Sequence, residues 1–280
     1  MALTLMYITN NPKVAALAQQ AGVDRIWVDM EWIGKEERQA GMNTVKSHHT
    51  IEDIAKLRPL ITTSTLMARV NPIHEATKEY CDSKEEIEET IKAGAKVIML
   101  PMFKTVTEVD KFVSYVSGRV KTQLLLETKE ADQIIDKILE VPGIDEIHIG
   151  LNDLHLSYGQ KFMFEPLCDG KVDRLAEIFN SKGIKFGFGG IARLGKGMLP
   201  AEYVIAEHYR LGSTAAILSR SFCDANSVED VESIRQLYVD ELNGIRQWEE
   251  VVAKYSKSDF EENHLIVRQK VNEIIKEQKY

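Results

Sequence analysis

The chain has 280 residues, 44% apolar and 28% charged, a balance ordinary for a globular protein and enough for one large domain or two small ones. A formal net charge of −8 at pH 7, with a pI near 5.5, argues against nucleic acid or an anionic membrane as the main partner. Residues 1–13 lack a basic stretch followed by an apolar core, no apolar run approaches membrane-spanning length, and Cys81, Cys168 and Cys223 have no CxxC spacing; the expectation is a cytoplasmic protein with structural thiols.

Residues 3–8 read as a short apolar strand. Asn10 is placed to cap the next helix, which has Pro12 in its first turn and an apolar stripe at Val14, Leu17 and Ala18, and Gly22 ends it. RIWVD at 25–29 is the second strand, with Asp29, Glu31 and Trp32 at its exit. After a polar loop and a helix at 51–57, residues 65–70 form the third strand, with Arg69 at its carboxyl end, and Asn71-Pro72 interrupt the chain beyond it. A helix at 83–93, a strand at 97–100 closed by Pro101, and a helix at 106–116 come next.

Residues 122–126 are an apolar run closed by Glu127, short enough for a strand buried on both faces. Ala131, Ile134, Ile135 and Ile138 then recur at helical spacing until Pro142 and Gly143. A strand at 144–149 leaves through the loop Gly150, Leu151, Asn152, Asp153. A helix at 172–179, a strand at 184–188, a helix at 201–211 and a strand at 215–218 complete the alternation.

Eight strands alternating with helices predict an α/β fold, a (β/α)₈ TIM barrel over residues 1–226 with its active site at the strand carboxyl ends. An open doubly wound sheet is the alternative, but no GxGxxG follows the first strand. Residues 227–280 read as a helical extension. Ser227 with Asp230 resembles a capping box, followed by Val231, Ile234, Tyr238, Leu242, Ile245, Trp248, Val252 and Tyr255 at spacings of three or four. Ser258 with Glu261 opens a second segment carrying Val267, Val271 and Ile274. A stripe this long must be buried, against its own barrel or against a neighbouring subunit.

The strand ends collect Asp29, Glu31, Arg69, Pro101, Glu127, Asn152, Asp153, Gly189 and Gly190. Adjacent parallel strands lie about 4.8 Å apart, so Glu127 and Asp153 can face one point. They are either solvated loop acids or ligands of one divalent cation; two hard carboxylates without a nearby thiolate or imidazole suit Mg²⁺ or Mn²⁺, with water and substrate oxygens completing the shell. Arg69 offers a planar fork for a substrate carboxylate or a salt bridge to Asp29 or Glu31, and the two roles are compatible. A 2-oxo acid chelated to such a metal would have its enolate stabilised, with backbone N–H groups among Gly150, Asn152 and Asp153 holding its carboxylate.

VDMEW (28–32), ARVNP (68–72), GAKVIMLPMF (94–103), LLLETKEA (124–131) and VPGIDEIHIGLNDL (141–154) resemble, in this order, the motifs of the HpcH/HpaI aldolase and citrate lyase family, over about residues 20–220. The resemblance implies a metal-dependent TIM barrel of the pyruvate and phosphoenolpyruvate type. It implies a homo-oligomer, a hexamer or trimer of dimers, whose subunits exchange their last barrel helix. It also implies that Glu127 and Asp153 bind Mg²⁺ or Mn²⁺ and that Arg69 contacts the pyruvoyl group. The chain departs from the aldolase pattern at Trp32, where D-x-E is followed by a proton-transfer histidine, at Leu125 in place of a glutamine, and at Leu151 in place of a proline. The citrate lyase beta branch follows its D-x-E-D with a lysine and an arginine, for which Lys35 and Arg38 are the candidates.

With Trp32 in that place, His49, His48 and His155 are candidate proton carriers, since histidine titrates near neutrality, though a loop histidine is often simply exposed. His148, between Ile147 and Ile149, reads as structural and Cys223 as inert. The expected activity is that of a carbon–carbon lyase, an aldolase cleaving a 2-oxo-3-deoxy sugar acid or related hydroxy-oxo acid into pyruvate and an aldehyde. Glu127 and Asp153 hold the metal, Arg69 the oxo acid, and Asp29 or Glu31 orients Arg69 or a catalytic water. The alternatives are an acyl-CoA lyase of the citrate lyase beta type and a non-catalytic, metal-dependent oxo-acid-binding protein.

Overall fold

The computed structural model describes residues 2–35, 49–219, 222 and 231–277. Eight strands, β1 (Thr4–Ile8), β2 (Arg25–Asp29), β3 (Thr65–Arg69), β4 (Val97–Leu100), β5 (Lys121–Leu126), β6 (Glu146–Ile149), β7 (Lys185–Ile191) and β8 (Ala215–Leu218), pair in sequence order. All pairings are parallel, and β8 returns to β1, so the sheet is a closed barrel without edges. β7 runs past the expected end at residue 188 because its pairing with β8 shifts register between Gly187 and Gly190, a bulge that lengthens the strand.

The helices α1 (Pro12–Gln20), α2 (Ile51–Leu57), α3 (Ser83–Ala93) and α4 (Val106–Val116) follow the first four strands. Asn11, not Asn10, caps α1: its side chain accepts the N–H groups of Lys13 and Val14 because Pro12 occupies the first helical position. Asn10 instead donates to Asp53 Oδ2 at 3.0 Å. The single helix expected after β5 is two pieces, α5 (Lys129–Gln133) and α6 (Ile135–Ile138), broken at Ile134 with φ −118 and ψ 19. Two consecutive β-branched residues stand at the break, where helix propensity is weak.

The expected exit loop of β6 is also helical. α7 (Leu151–Ser157) starts directly at the strand end with Gly150 in its N-cap position. It is followed by α8 (Glu165–Cys168), α9 (Lys171–Ser181) and α10 (Ala201–Leu211).

The two terminal helices, α11 (Val231–Val252) and α12 (Lys257–Glu277), fold back on their own barrel. α11 lies against α1 and α10, where Ile234, Tyr238, Leu242 and Ile245 are buried, and Arg246 donates to Leu3 O at 2.8 Å. α12 crosses α10 and α8 and buries Val267 and Val271. Its capping box is Ser256 with Asp259 rather than Ser258 with Glu261: the Ser256 N–H donates to Asp259 Oδ2 at 2.7 Å and the Asp259 N–H to Ser256 Oγ at 3.3 Å. The Ser227–Asp230 pair lies outside the described residues. Among the described residues no helix is long and apolar enough to cross a membrane.

Candidate active site

Along a strand every second side chain points to the same face. On β2 the axis-facing set is Arg25, Trp27 and Asp29; on β3 it ends in Met67 and Arg69. On β5 it runs through Gln123 and Leu125 to Glu127 just past the strand, and on β6 through Glu146 and His148 to Gly150. Met6, Trp27, Met67, Val97, Met99, Leu125 and Ala215 form an apolar plug across the middle of the barrel. Polar groups occupy the two ends.

At the carboxyl end Asp29 and Arg69 are register partners on neighbouring strands. Arg69 Nε and Nη2 each donate to an Asp29 oxygen at 2.8 Å, and the guanidinium lies 5.2 Å from the centre of the Trp27 ring. Arg69 Nη1 is 3.3 Å from Glu31 Oε2. Lys35 is buried and donates to Asp29 Oδ2 at 2.9 Å, with Glu31 Oε2 3.8 Å away. Burial by itself raises the Asp29 carboxyl, but Arg69 and Lys35 outweigh it and hold that group well below the ordinary carboxylate range. The salt bridge considered for Arg69 is therefore present, and it occupies the side-on edge of the fork.

Glu127 is 3% exposed and accepts the Met102 N–H at 3.0 Å. Met102 has φ 54, a left-handed conformation that costs a non-glycine residue about 1–3 kcal/mol and here accompanies a hydrogen bond to the buried carboxylate. A Cβ on Gly150 would fall 2.8 Å from Glu127 Oε2 and 2.9 Å from its Cβ, so Glu127 fits where it does because residue 150 has no side chain. The Gly150 N–H donates to Leu126 O at 2.9 Å; of the expected backbone donors, this one is already committed within the sheet. Asp153 stands in the first turn of α7, where N–H groups lack intrahelical acceptors.

Burial pushes the Glu127 carboxyl well above its usual range; the charges of Asp153 and Glu31 push the same way, and Arg69 with the Met102 N–H offsets part of this. Asp29, Glu31, Glu127 and Asp153 carry four formal negative charges against the two positive charges of Arg69 and Lys35. One divalent cation would cancel the excess. Among the described residues no three His, Cys, Asp or Glu side chains are grouped to hold a metal by themselves. A cation here would take Glu127 and Asp153 and complete its shell with water and substrate oxygens, an arrangement that suits Mg²⁺ or Mn²⁺. The donor set fits such an ion.

The candidate proton carriers separate by geometry. His49 Nδ1 accepts the Asp29 N–H at 3.0 Å, which places the proton of the neutral ring on Nε2. His155 is buried on α7 with Nδ1 3.2 Å from Leu151 O. His148 is fully buried with Nε2 3.1 Å from Gly189 O, and burial, the largest influence, brings its imidazole down to about 4. His48, Arg38 and Cys223 lie outside the described residues.

Two contributors went unnoticed in the sequence. Met102 acts through a backbone conformation that leaves no mark on residue type. Asn71 read only as a breaker, yet its Oδ1 accepts the N–H groups of Trp32 and Ile33 at 2.9 and 3.0 Å and so fixes the exit of β2 to that of β3; its place two residues after Arg69 was the available signal.

The profile of the HpcH/HpaI aldolase/citrate lyase family matches residues 3–163. That span takes in β1 to β6 and every acid of the site, and it stops short of the end of the 20–220 stretch over which the motifs suggest a likeness. Among solved structures the chain is similar to an HpcH/HpaI aldolase/citrate lyase family protein from Burkholderia cenocepacia J2315, at 15% identity over 88% of this chain and 95% of that chain, with a TM-score of 0.60. It is similar to HpcH/HpaI aldolase from Desulfitobacterium hafniense DCB-2, at 14% identity over 88% and 93%, TM-score 0.59. It is also similar to citrate synthase SbnG, at 17% identity over 88% and 94%, TM-score 0.58. At such identities the likeness is one of fold. No curated protein sequence matches the chain.

Proposed function

Because the chain belongs to the HpcH/HpaI aldolase/citrate lyase family, we propose that it is a divalent-metal-dependent carbon–carbon lyase that cleaves a hydroxy-oxo acid, the 2-oxo-3-deoxy sugar acids among them, into pyruvate and an aldehyde. The observation that carries this reading is the buried Glu127 carboxylate, loaded by the charges of Asp153 and Glu31 and flanked by Arg69. Glu127 and Asp153 hold Mg²⁺ or Mn²⁺, which supplies Lewis acidity for the negative charge that develops as the bond breaks.

Arg69 meets the oxo-acid end of the substrate through Nη1, which it shares with Glu31, since Asp29 occupies its Nε and Nη2. Asp29, clamped between Arg69 and Lys35, keeps that guanidinium in plane. The N–H groups of Asn152 and Asp153 bind the substrate carboxylate, and Gly150 leaves room for Glu127. His49, with Nδ1 already accepting a backbone N–H, hydrogen-bonds the reacting hydroxyl through Nε2 instead of removing its proton. Glu31 takes that proton through a water and returns it the same way to the carbon left on pyruvate, so the hydroxyl proton ends on the new methyl group and nothing is oxidised or reduced.

A cytoplasmic setting and a homo-oligomer, a hexamer by family pattern, belong to the same proposal; sedimentation velocity reads the second. The reaction is tested by exchange of pyruvate methyl protons with D₂O in the presence of Mn²⁺. Exchange that disappears in Glu127→Ala supports the lyase. Tight pyruvate binding without exchange would replace it with a non-catalytic oxo-acid-binding protein.

A further inference from the structure

Trp32 is 47% exposed, the one exposed aromatic side chain among the described residues. Single apolar side chains on a surface usually need no explanation. This one is held in place from several sides. Its N–H donates to Asn71 Oδ1 at 2.9 Å, and its ring meets Tyr80 edge-on, with centroids 5.4 Å apart and planes at 87°. Tyr80 Oη donates to Glu86 Oε1 at 3.0 Å, and Asn71 Nδ2 donates to the same oxygen at 2.8 Å. Asn71 and Glu86 are both fully buried.

The polar atoms of Asn71, Tyr80 and Glu86 are thus committed to one another and to the backbone of Trp32 and Ile33. What the frame presents at the rim, between the exits of β2 and β3, is aromatic surface. Trp32 directly follows Glu31, whose carboxylate is 3.3 Å from Arg69 Nη1. In the lyase reading the oxo-acid end of the substrate lies at Arg69, and Trp32 stands on the segment that leaves the site beside it.

We propose that Trp32 is a specificity-determining residue: its indole packs against the part of the hydroxy-oxo acid beyond the cleaved bond and, within that substrate class, favours acids with an apolar or aromatic aldehyde portion over the sugar acids with their polyol tail. This rests on the carbon–carbon lyase reading. In the synthetic direction pyruvate loses a methyl proton, its methyl carbon bonds to the aldehyde carbon, and the aldehyde oxygen takes up a proton, so nothing is oxidised or reduced.

The test is kcat/KM for addition of pyruvate to benzaldehyde and to glycolaldehyde, with Mn²⁺, in the wild type, Trp32→Ala and Trp32→Phe. The wild type is expected to favour benzaldehyde; the ratio falls about tenfold in Trp32→Ala and most of it returns in Trp32→Phe. A ratio unchanged by Trp32→Ala overturns the proposal, as does a wild-type preference for glycolaldehyde. A change of sedimenting mass in Trp32→Ala overturns it too, because the indole then packs on a second copy of the chain. If the wild type shows no pyruvate proton exchange, the lyase reading fails by itself. Trp32 is then judged by equilibrium binding of 2-oxo-4-phenylbutanoate against pyruvate: tighter binding of the phenyl ligand that is lost in Trp32→Ala retains the recognition role, and equal binding removes it.

Discussion

The two ends of the barrel each hold an arginine forked onto a carboxylate, and β2 contributes to both. At the amino end Arg25 donates to the two Glu146 oxygens at 2.6 and 2.8 Å; at the carboxyl end Arg69 donates to the two Asp29 oxygens at 2.8 Å. The first fork is end-on through Nη1 and Nη2 and the second side-on through Nε and Nη2, and the surroundings differ as well. Arg25 and Glu146 have Lys121 and the Gln123 amide for company, so the pair leaves no anionic charge to be met. Around Arg69 and Asp29 the acids outnumber the cations, and Glu127 bears the consequence as a carboxyl pushed up by burial and by its neighbours. Two surface cavities, of about 340 and 420 Å³, open near the amino-terminal rim, but neither is lined by the cluster of acids that gathers at the carboxyl end. A balanced ion pair inside a barrel reads as structure, and an unbalanced one as a place for a ligand.

The largest expected effect breaks the unbalanced end. Glu127→Ala lowers the rate of pyruvate proton exchange by more than about a thousandfold, the scale of losing metal assistance, while the protein without metal melts higher because the excess charge is relieved. Activity and thermal melting measured on the same preparation check both halves.

Arg25→Met strikes the balanced end and does the opposite. It leaves Glu146 buried without its partner and costs about 3 kcal/mol of folding stability, read by urea denaturation, with kcat of the remaining folded protein unchanged. A loss of kcat with unaltered stability would erase the distinction between the ends.

Gly150→Ala inserts a methyl group 2.8 Å from Glu127 Oε2 and weakens Mn²⁺ affinity about tenfold, measured by titration calorimetry. Its backbone φ of −78 suits any residue, so folding is affected less than metal binding.

The smallest effect is in acid. Glu146 is lowered below its usual value because Arg25 outweighs burial, so its stabilisation is fully present above the unfolded carboxyl range near about 4.3 and is lost as pH falls through the lowered folded value. Arg25→Met removes that dependence, and its stability declines less steeply between pH 5 and about 3 in melting scans. An unchanged slope would mean that the two forks titrate alike.

Much of this fold is legible residue by residue. Strands such as VIML at 97–100 and helices such as Val106–Val116 have bounds that match the apolar pattern, because strand and helix periods are local properties. The exceptions have local causes as well: a proline that moved a cap to Asn11, paired isoleucines that broke a helix, and a strand end that runs directly into α7. The acids and the arginine of the candidate site were also visible, since each stands at or a few residues past the carboxyl end of a strand.

The sequence by itself determined the eight alternating units and the identity of the charged residues at one mouth, because both follow from short-range pattern and parallel pairing. Only the tertiary structure decided which of those charges cancel. Arg69 reaches across to Asp29, Met102 turns its N–H onto Glu127, Gly150 yields it space, and Asn71 fixes the rim on which Trp32 stands. It also decided that α11 and α12 bury their apolar stripes against α1, α8 and α10 of the same chain. These partners lie tens of residues apart or more, and their pairing is set by barrel closure and packing, which no local pattern encodes.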